Sequence, residues 1–216
     1  MKSCFLVLTS TMGSAIYAAV EQEPATPRPA ATVIVLRRGG KHSDRGLEVC
    51  MVQRNPEARF MPGVWVFPGG ALDEADGEGD RGHRVCAARE LAEEASIEVD
   101  PDELVPYSRW ITPRVVPIRF DTRFYLALAP AHPPPEPDGA ETVDAGWFPP
   151  QDALDAHGRD EMGLVFPTIK HLESLLPYAN AEEALEAARR RQVRPVEPRV
   201  VGEGEERRIE LPEGLP

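Results

Sequence analysis

The chain has 216 residues, 42% hydrophobic and 28% charged, which suits one α/β domain with appendages better than two full domains. Its formal net charge of −12 argues against a nucleic-acid surface, because the one basic block is Arg189-Arg190-Arg191. The three cysteines, Cys4, Cys50 and Cys86, lack close metal-ligand spacing and read as buried or incidental thiols in a reducing compartment.

Lys2 precedes an apolar stretch, 4–20, that loosely imitates a secretory signal. Ser10, Thr11, Gly13 and Ser14 dilute it, and neither Ile16 nor Tyr17 is the small residue wanted before a cleavage point. The stretch is also too short and too polar to span a bilayer. A cytoplasmic protein with an extended start, or one beginning at Met12, is the expectation, with neither membrane nor nucleic acid as a partner. Residues 1–29 read as an extension with a proline-rich linker, 30–180 as the main domain, and 181–216 as a C-terminal helix and tail.

In chain order, the β-branched run at 31–36 (ATVIVL) reads as a buried strand, with 47–53 as its hairpin partner. A loop at 55–63 precedes a short strand at 64–67, and Pro68-Gly69-Gly70 reads as a sharp break. A polar, glycine-bearing segment at 73–82 leads into a helix from about His83 to Ala95. Strands follow at 108–111, 123–129 and 145–148, then helices at 152–156, 168–176 and 181–191, and a closing hairpin at 200–211. The irregular alternation predicts a mixed sheet between helices.

The helix ending at Ala95 carries the chemistry. At 3.6 residues per turn, Glu90, Glu93 and Glu94 share about 100° of arc, opposite Val85, Ala88, Leu91, Ala92 and Ala95. An ordinary solvated face usually mixes signs. Here no lysine follows four residues on, Glu90 and Glu94 form a like-charge pair, and all three acids lie toward the helix C-terminus, where the dipole disfavours anions. A divalent cation among the carboxylates would resolve these conflicts, since hard oxygen ligands suit Mg²⁺ or Mn²⁺.

Pro68-Gly69-Gly70 followed by Arg89-Glu90-Leu91-Ala92-Glu93-Glu94-Ala95-Ser96-Ile97 resembles the Nudix box, G-x5-E-x7-R-E-U-x-E-E-x-G-U with U aliphatic. The resemblance implies an α/β fold: an α/β/α sandwich with a mixed β-sheet and a loop–helix–loop metal site that hydrolyses diphosphate bonds. It implies that Glu90, Glu93 and Glu94 bind metal, that the Gly70 carbonyl adds a ligand, and that Arg89 orients the carboxylates. Glu90 and Glu94, with Arg89, would form the catalytic set. Glu141 is a further base or ligand, or an ordinary loop acid.

Three departures stand out. The box glutamate falls on Asp76, with Glu78 as an alternative occupant of that role; twelve residues (77–88) rather than seven separate Asp76 from Arg89; and the closing glycine is Ser96. That last position suits a left-handed helix cap.

The stretch from Arg54 through Arg59, Phe60 and Phe67 into Gly69-Gly70 resembles the coenzyme A branch of the family, as do Trp110-Ile111-Thr112-Pro113 and Arg119–Phe124. Arg54 and Arg59, with Gly69 and Gly70, are therefore substrate-binding candidates, the arginines as phosphate clamps or as solubilising loop residues. Arg119 and Arg123 are weaker candidates, and Phe60 and Trp65 either stack on adenine or pack in the core. The expected substrate is CoA or acyl-CoA; ADP-ribose, NADH or a dinucleotide is the alternative, and a silent nucleotide-binding regulator a third reading that the intact R-E-x-x-E-E core opposes. The resemblance also allows a homodimer.

Overall fold

A computed structural model describes residues 23–39, 46–59, 61–130, 134–202 and 208–212. The strands are β1 (Arg28–Arg37), β2 (Glu48–Arg54), β3 (Trp65–Val66), β4 (Gly69–Ala71), β5 (Val105–Ile111), β6 (Phe120–Leu128), β7 (Thr142–Phe148), β8 (Pro195–Val196), β9 (Arg199–Val201) and β10 (Arg208–Glu210). The helices are α1 (Gly79–Ala95), α2 (Pro150–Gly158), α3 (Phe166–Leu175) and α4 (Ala181–Arg189).

The ATVIVL run is apolar at every position but Thr32, and β1 buries both of its faces. Val33 and Val35 point into one apolar layer, Ile34 and Leu36 into the other. Such two-sided burial is what a central strand requires. β1 runs parallel to β6, in register from Arg28↔Phe120 to Leu36↔Leu128. Its other edge is shared, pairing β4 at Ala30–Thr32 and β2 at Leu36 and Arg37, both antiparallel. β2 also carries β3 and β7, and β5 joins β6 to β8, giving an eight-stranded mixed sheet. The α1 layer holds Cys86, Ala87, Leu91 and Ala95; the opposite layer holds Ala153 of α2, Leu172 and Leu175 of α3, and Ala184 and Leu185 of α4. The expected α/β/α sandwich is the observed architecture.

The elements differ from expectation in four places. β4 is a strand where a sharp break was expected, because β1 supplies the pairing that two glycines could not suggest. α1 begins at Gly79 rather than His83, its first turn helped by Asp80 near the positive end of the helix dipole. Val85 and Ala92 are only half-buried, and Cys86 and Ala87 pack on the sheet instead. The residues beyond 180 are part of the fold: α4 packs into the core, and β8 extends the sheet.

Arg119, expected as a weak ligand candidate, is buried and structural. It donates to the Thr112 carbonyl (3.0 Å), the Ala25 carbonyl (2.9 Å) and Glu197 Oε1 (2.8 Å). Arg123 pairs with Asp80 at 2.9 Å. Trp65 packs edge-on against Phe148, ring centroids 5.0 Å apart, on the apolar layer opposite α1. Cys4, Met12, Phe60 and residues 203–207 of the expected closing hairpin lie outside the described residues. No described helix is long and apolar enough to cross a membrane.

Candidate active site on helix α1

Small residues decide how near α1 lies to the sheet. With alanine at 87 and 95 and cysteine at 86, the helix packs close to β4. A Cβ on Gly70 would overlap the Glu90 carboxylate and force it to move, while one on Gly69 would meet the Ala31 and Thr32 backbone of β1. The expectation that all three glutamates face away from the sheet is thereby corrected. Glu94 is buried at 4% exposure, and its Oε2 accepts a hydrogen bond from the Gly69 N–H at 2.9 Å. Burial pushes the Glu94 carboxyl up to about 8; the Gly69 hydrogen bond opposes that shift, and the charge of Glu90 adds to it. Glu90 is also raised by burial, with Arg89 opposing. Glu93 is exposed.

Arg89 joins the acids. Its Nε and Nη2 each donate to Asp76 at 2.9 Å, and its Nη1 lies 2.9 Å from both Glu90 Oε1 and Glu93 Oε2. Such a paired, charge-assisted contact fixes orientation as well as adding energy. The Arg89 hydrogen bonds hold the Asp76 carboxyl below its usual range against the effect of burial. Asp76 Oδ2 also accepts from the Asp73 N–H at 2.9 Å, closing a short 3₁₀ turn at Glu74–Asp76. Of the two candidates for the displaced acidic position, Asp76 is paired with Arg89, while Glu78 is exposed at the start of α1. Ser96 adopts the expected left-handed conformation, φ 55°, and its hydroxyl donates to the Glu136 carbonyl at 3.2 Å. Cys86 and Cys50 are free and buried, and burial pushes both thiols up to about 12.

Glu141 lines the neighbouring cleft, and its charge adds in a small way to the upward shifts of Glu90 and Glu94. Arg54 acts on Glu94 in the opposite sense. Beside them lies an open cleft of about 370 Å³ lined by Arg54, Asn55, Glu57, Ala58, Ala140 and Glu141. Arg59 is exposed and is not among those lining residues. Sequence reasoning passed over Asn55 and Asp138, which shape the rim. The Asp138-Gly139 pair, a common turn dipeptide, was the available signal.

Among the described residues, no three His, Cys, Asp or Glu side chains converge closely enough to grip a metal ion. The donor chemistry nevertheless fits a hard divalent cation: carboxylate oxygens and a glycine backbone, with mutually repelling charges partly out of water. In this arrangement the Arg89 guanidinium is the cation held between Glu90 and Glu93.

A family model described as NUDIX domain matches residues 26–168. A curated relative from Caenorhabditis elegans, putative nudix hydrolase 7, is 28% identical over 162 residues, covering 59% of this chain and 55% of the relative. The human acyl-coenzyme A diphosphatase NUDT19 is 23% identical, covering 64% and 63% respectively. The chain thus spans less than two thirds of the length of these curated relatives. A crystal structure of a NUDIX hydrolase from Alicyclobacillus acidocaldarius superposes with a TM-score of 0.66 at 30% identity, covering 75% of this chain and 96% of that one. With a family model that runs across most of the fold and a structural match to nearly the whole of a crystallised relative, the chain belongs to the Nudix hydrolase family.

Proposed function

We propose that this hydrolase of nucleoside diphosphate derivatives acts on CoA or acyl-CoA, releasing a phosphorylated pantetheine fragment and an adenosine bisphosphate. The observation that carries the reading is the meeting of the α1 acids with Gly69 and Gly70 beside the Arg54-lined cleft. The human acyl-CoA diphosphatase among the relatives supports the substrate class.

Glu90, Glu93, Glu94 and the Gly70 carbonyl would hold the divalent ions, Mg²⁺ or Mn²⁺. Bound there, a divalent ion supplies charge neutralisation and a water of lowered pKa. Arg89, braced by Asp76, keeps Glu90 and Glu93 in place. Glu90 or Glu141 removes the proton from the attacking water, whose oxygen bonds to phosphorus as the bridging P–O bond breaks. Arg54 meets the phosphate charge on the cleft side, and the Gly69-Gly70 backbone approaches the diphosphate closely.

A product screen by mass spectrometry tests the reading, with CoA, acyl-CoA, ADP-ribose, NADH and diadenosine polyphosphates each incubated with Mg²⁺ or Mn²⁺. CoA is expected to be cut faster than dephospho-CoA, which lacks the 3′-phosphate, by about ten- to a hundredfold. Arg54→Ala should shrink that preference while sparing dephospho-CoA. The exposure of Arg59 outside the cleft favours a second reading, in which no 3′-phosphate clamp exists and ADP-ribose, NADH or a dinucleotide is the substrate. Equal turnover of CoA and dephospho-CoA, or cleavage of ADP-ribose alone, would decide for that second reading.

A further inference from the structure

The segment that carries Glu141 is fastened from both sides. Asp138 Oδ1 accepts from the backbone N–H groups of Ala140 (3.2 Å), Glu141 (3.1 Å) and Thr142 (2.8 Å), and Oδ2 lies 3.1 Å from the same Glu141 N–H. Gly139, at φ 76°, turns the chain so that its N–H reaches the Thr142 carbonyl at 2.9 Å. The fully buried Thr142 hydroxyl lies 2.9 Å from Asp138 Oδ1 and 3.0 Å from the Glu94 carbonyl. From the cleft side, the Asn55 N–H donates to the Glu141 carbonyl and Asn55 Nδ2 to the Ala140 carbonyl, both at 2.8 Å. The Asn55 Oδ1 is itself held by the Glu57 N–H at 2.8 Å. Both backbone polar groups of Glu141 are therefore fixed, one to a turn tied to α1 and the other to the end of β2.

The buried Thr142 needs Asp138 as a partner. Water would satisfy the exposed Ala140 and Glu141 groups equally well, so hydrogen bonding alone does not call for fastening Glu141 from both sides. What it does set is the origin of the Glu141 side chain relative to Glu90 and Glu94, the two acids its charge reaches. We infer that Asp138 and Asn55 are positioning residues that hold Glu141 as the fourth carboxylate of the site. The inference rests on the proposed role of Glu141 in hydrolysis, but not on the identity of the substrate.

A double-mutant cycle tests it, run with Mg²⁺ on CoA or on whichever diphosphate the product screen shows to be cleaved. Asp138→Ala and Asn55→Ala should each lower kcat by about ten- to a hundredfold. KM should stay within about twofold, because the fastening acts on the reacting end. Asp138→Asn keeps the Oδ1 acceptor and should restore most of the rate. In a Glu141→Gln background, either alanine change should have no further effect on kcat. An equal loss in both backgrounds, or no loss in the first, would overturn the positioning role. A Glu141→Gln enzyme with unchanged kcat would overturn it together with the role given to Glu141; Glu93→Gln and Glu94→Gln would still report separately on the α1 site. Melting temperatures of all variants distinguish loss of position from loss of fold.

Discussion

Helix α3 gives its layer the large side chains Ile169, Leu172 and Leu175, whereas α1 gives its layer Cys86, Ala87, Ala95 and a single large residue, Leu91. Large side chains bury much apolar area per residue and suit a layer whose task is cohesion. Small ones surrender that area and let two backbones approach. On the α1 side the approach is used: Glu94 reaches the Gly69 N–H and Glu90 lies against Gly70. One sheet thus carries a cohesive face and a face that bears the candidate site. The two should respond in opposite ways to substitution.

The comparison breaks if the two faces do not separate stability from rate. Leu172→Ala, at a fully buried site in the α3 layer, should cost about 2–5 kcal/mol while kcat of the folded fraction stays near normal. Chemical denaturation and initial rates on the same samples check this. Glu93→Gln and Glu94→Gln should do the reverse, each lowering kcat by at least about 10²-fold by removing charge at the metal site. Glu93→Gln should leave the melting temperature unchanged, since that side chain is exposed. The buried Glu94 offers a finer test, because a glutamine can still accept from the Gly69 N–H and should keep the fold. Near-wild-type turnover in both would remove the metal assignment.

Acid sharpens the contrast. His171 sits in the α3 layer with its ring 4.2 Å from that of Phe124 and its Nε2 2.6 Å from the Ser108 hydroxyl. Burial holds its imidazole down at about 3, against about 6.5 in an unfolded chain. As pH falls below 6.5 the unfolded chain takes up the proton first. This contribution to stability is therefore complete above 6.5 and is lost between there and about 3, by up to about 1.4 kcal/mol per pH unit. Denaturant midpoints at several pH values should fall more steeply for the wild type than for His171→Gln. The smallest effect is at Ser96. Glycine there relieves a left-handed serine but loses the hydroxyl bond to Glu136, so the net gain from Ser96→Gly should be below about 1 kcal/mol by thermal melting.

Patterns confined to one element could be read from the sequence. The ATVIVL run marked a central strand, the R-E-x-x-E-E spacing marked the acid-bearing helix, and Ser96 at the closing position marked a left-handed cap. What depended on a partner distant in sequence was not legible. Gly69 and Gly70 have weak strand propensity, and they form β4 because β1 is there to pair with them. The helical wheel put Glu94 opposite the apolar face, but the Gly69 N–H draws it inward. Arg54 and Arg59 look alike in sequence, and only the course of the loop leaves one in the cleft and the other outside it. Asp138 and Asn55 carried only generic turn signals, and their common hold on Glu141 exists only in the folded chain.

The Arg119 clamp has a consequence for the order in which the molecule can be completed. Its guanidinium is made midway along the chain, but the Glu197 carboxylate that neutralises it arrives only after β8. A nascent chain halted before residue 197, or one clipped there by a protease, keeps the Arg119 cation on two backbone carbonyls without the Glu197 carboxylate. Uncompensated charge of that kind loosens its surroundings. In such a chain the loosened region would be the seam where Ala25, Thr112 and the entry to β1 meet, far in sequence from the cut. The closing residues of the fold therefore act as a latch, and the opening strand of the sheet is the part that they lock.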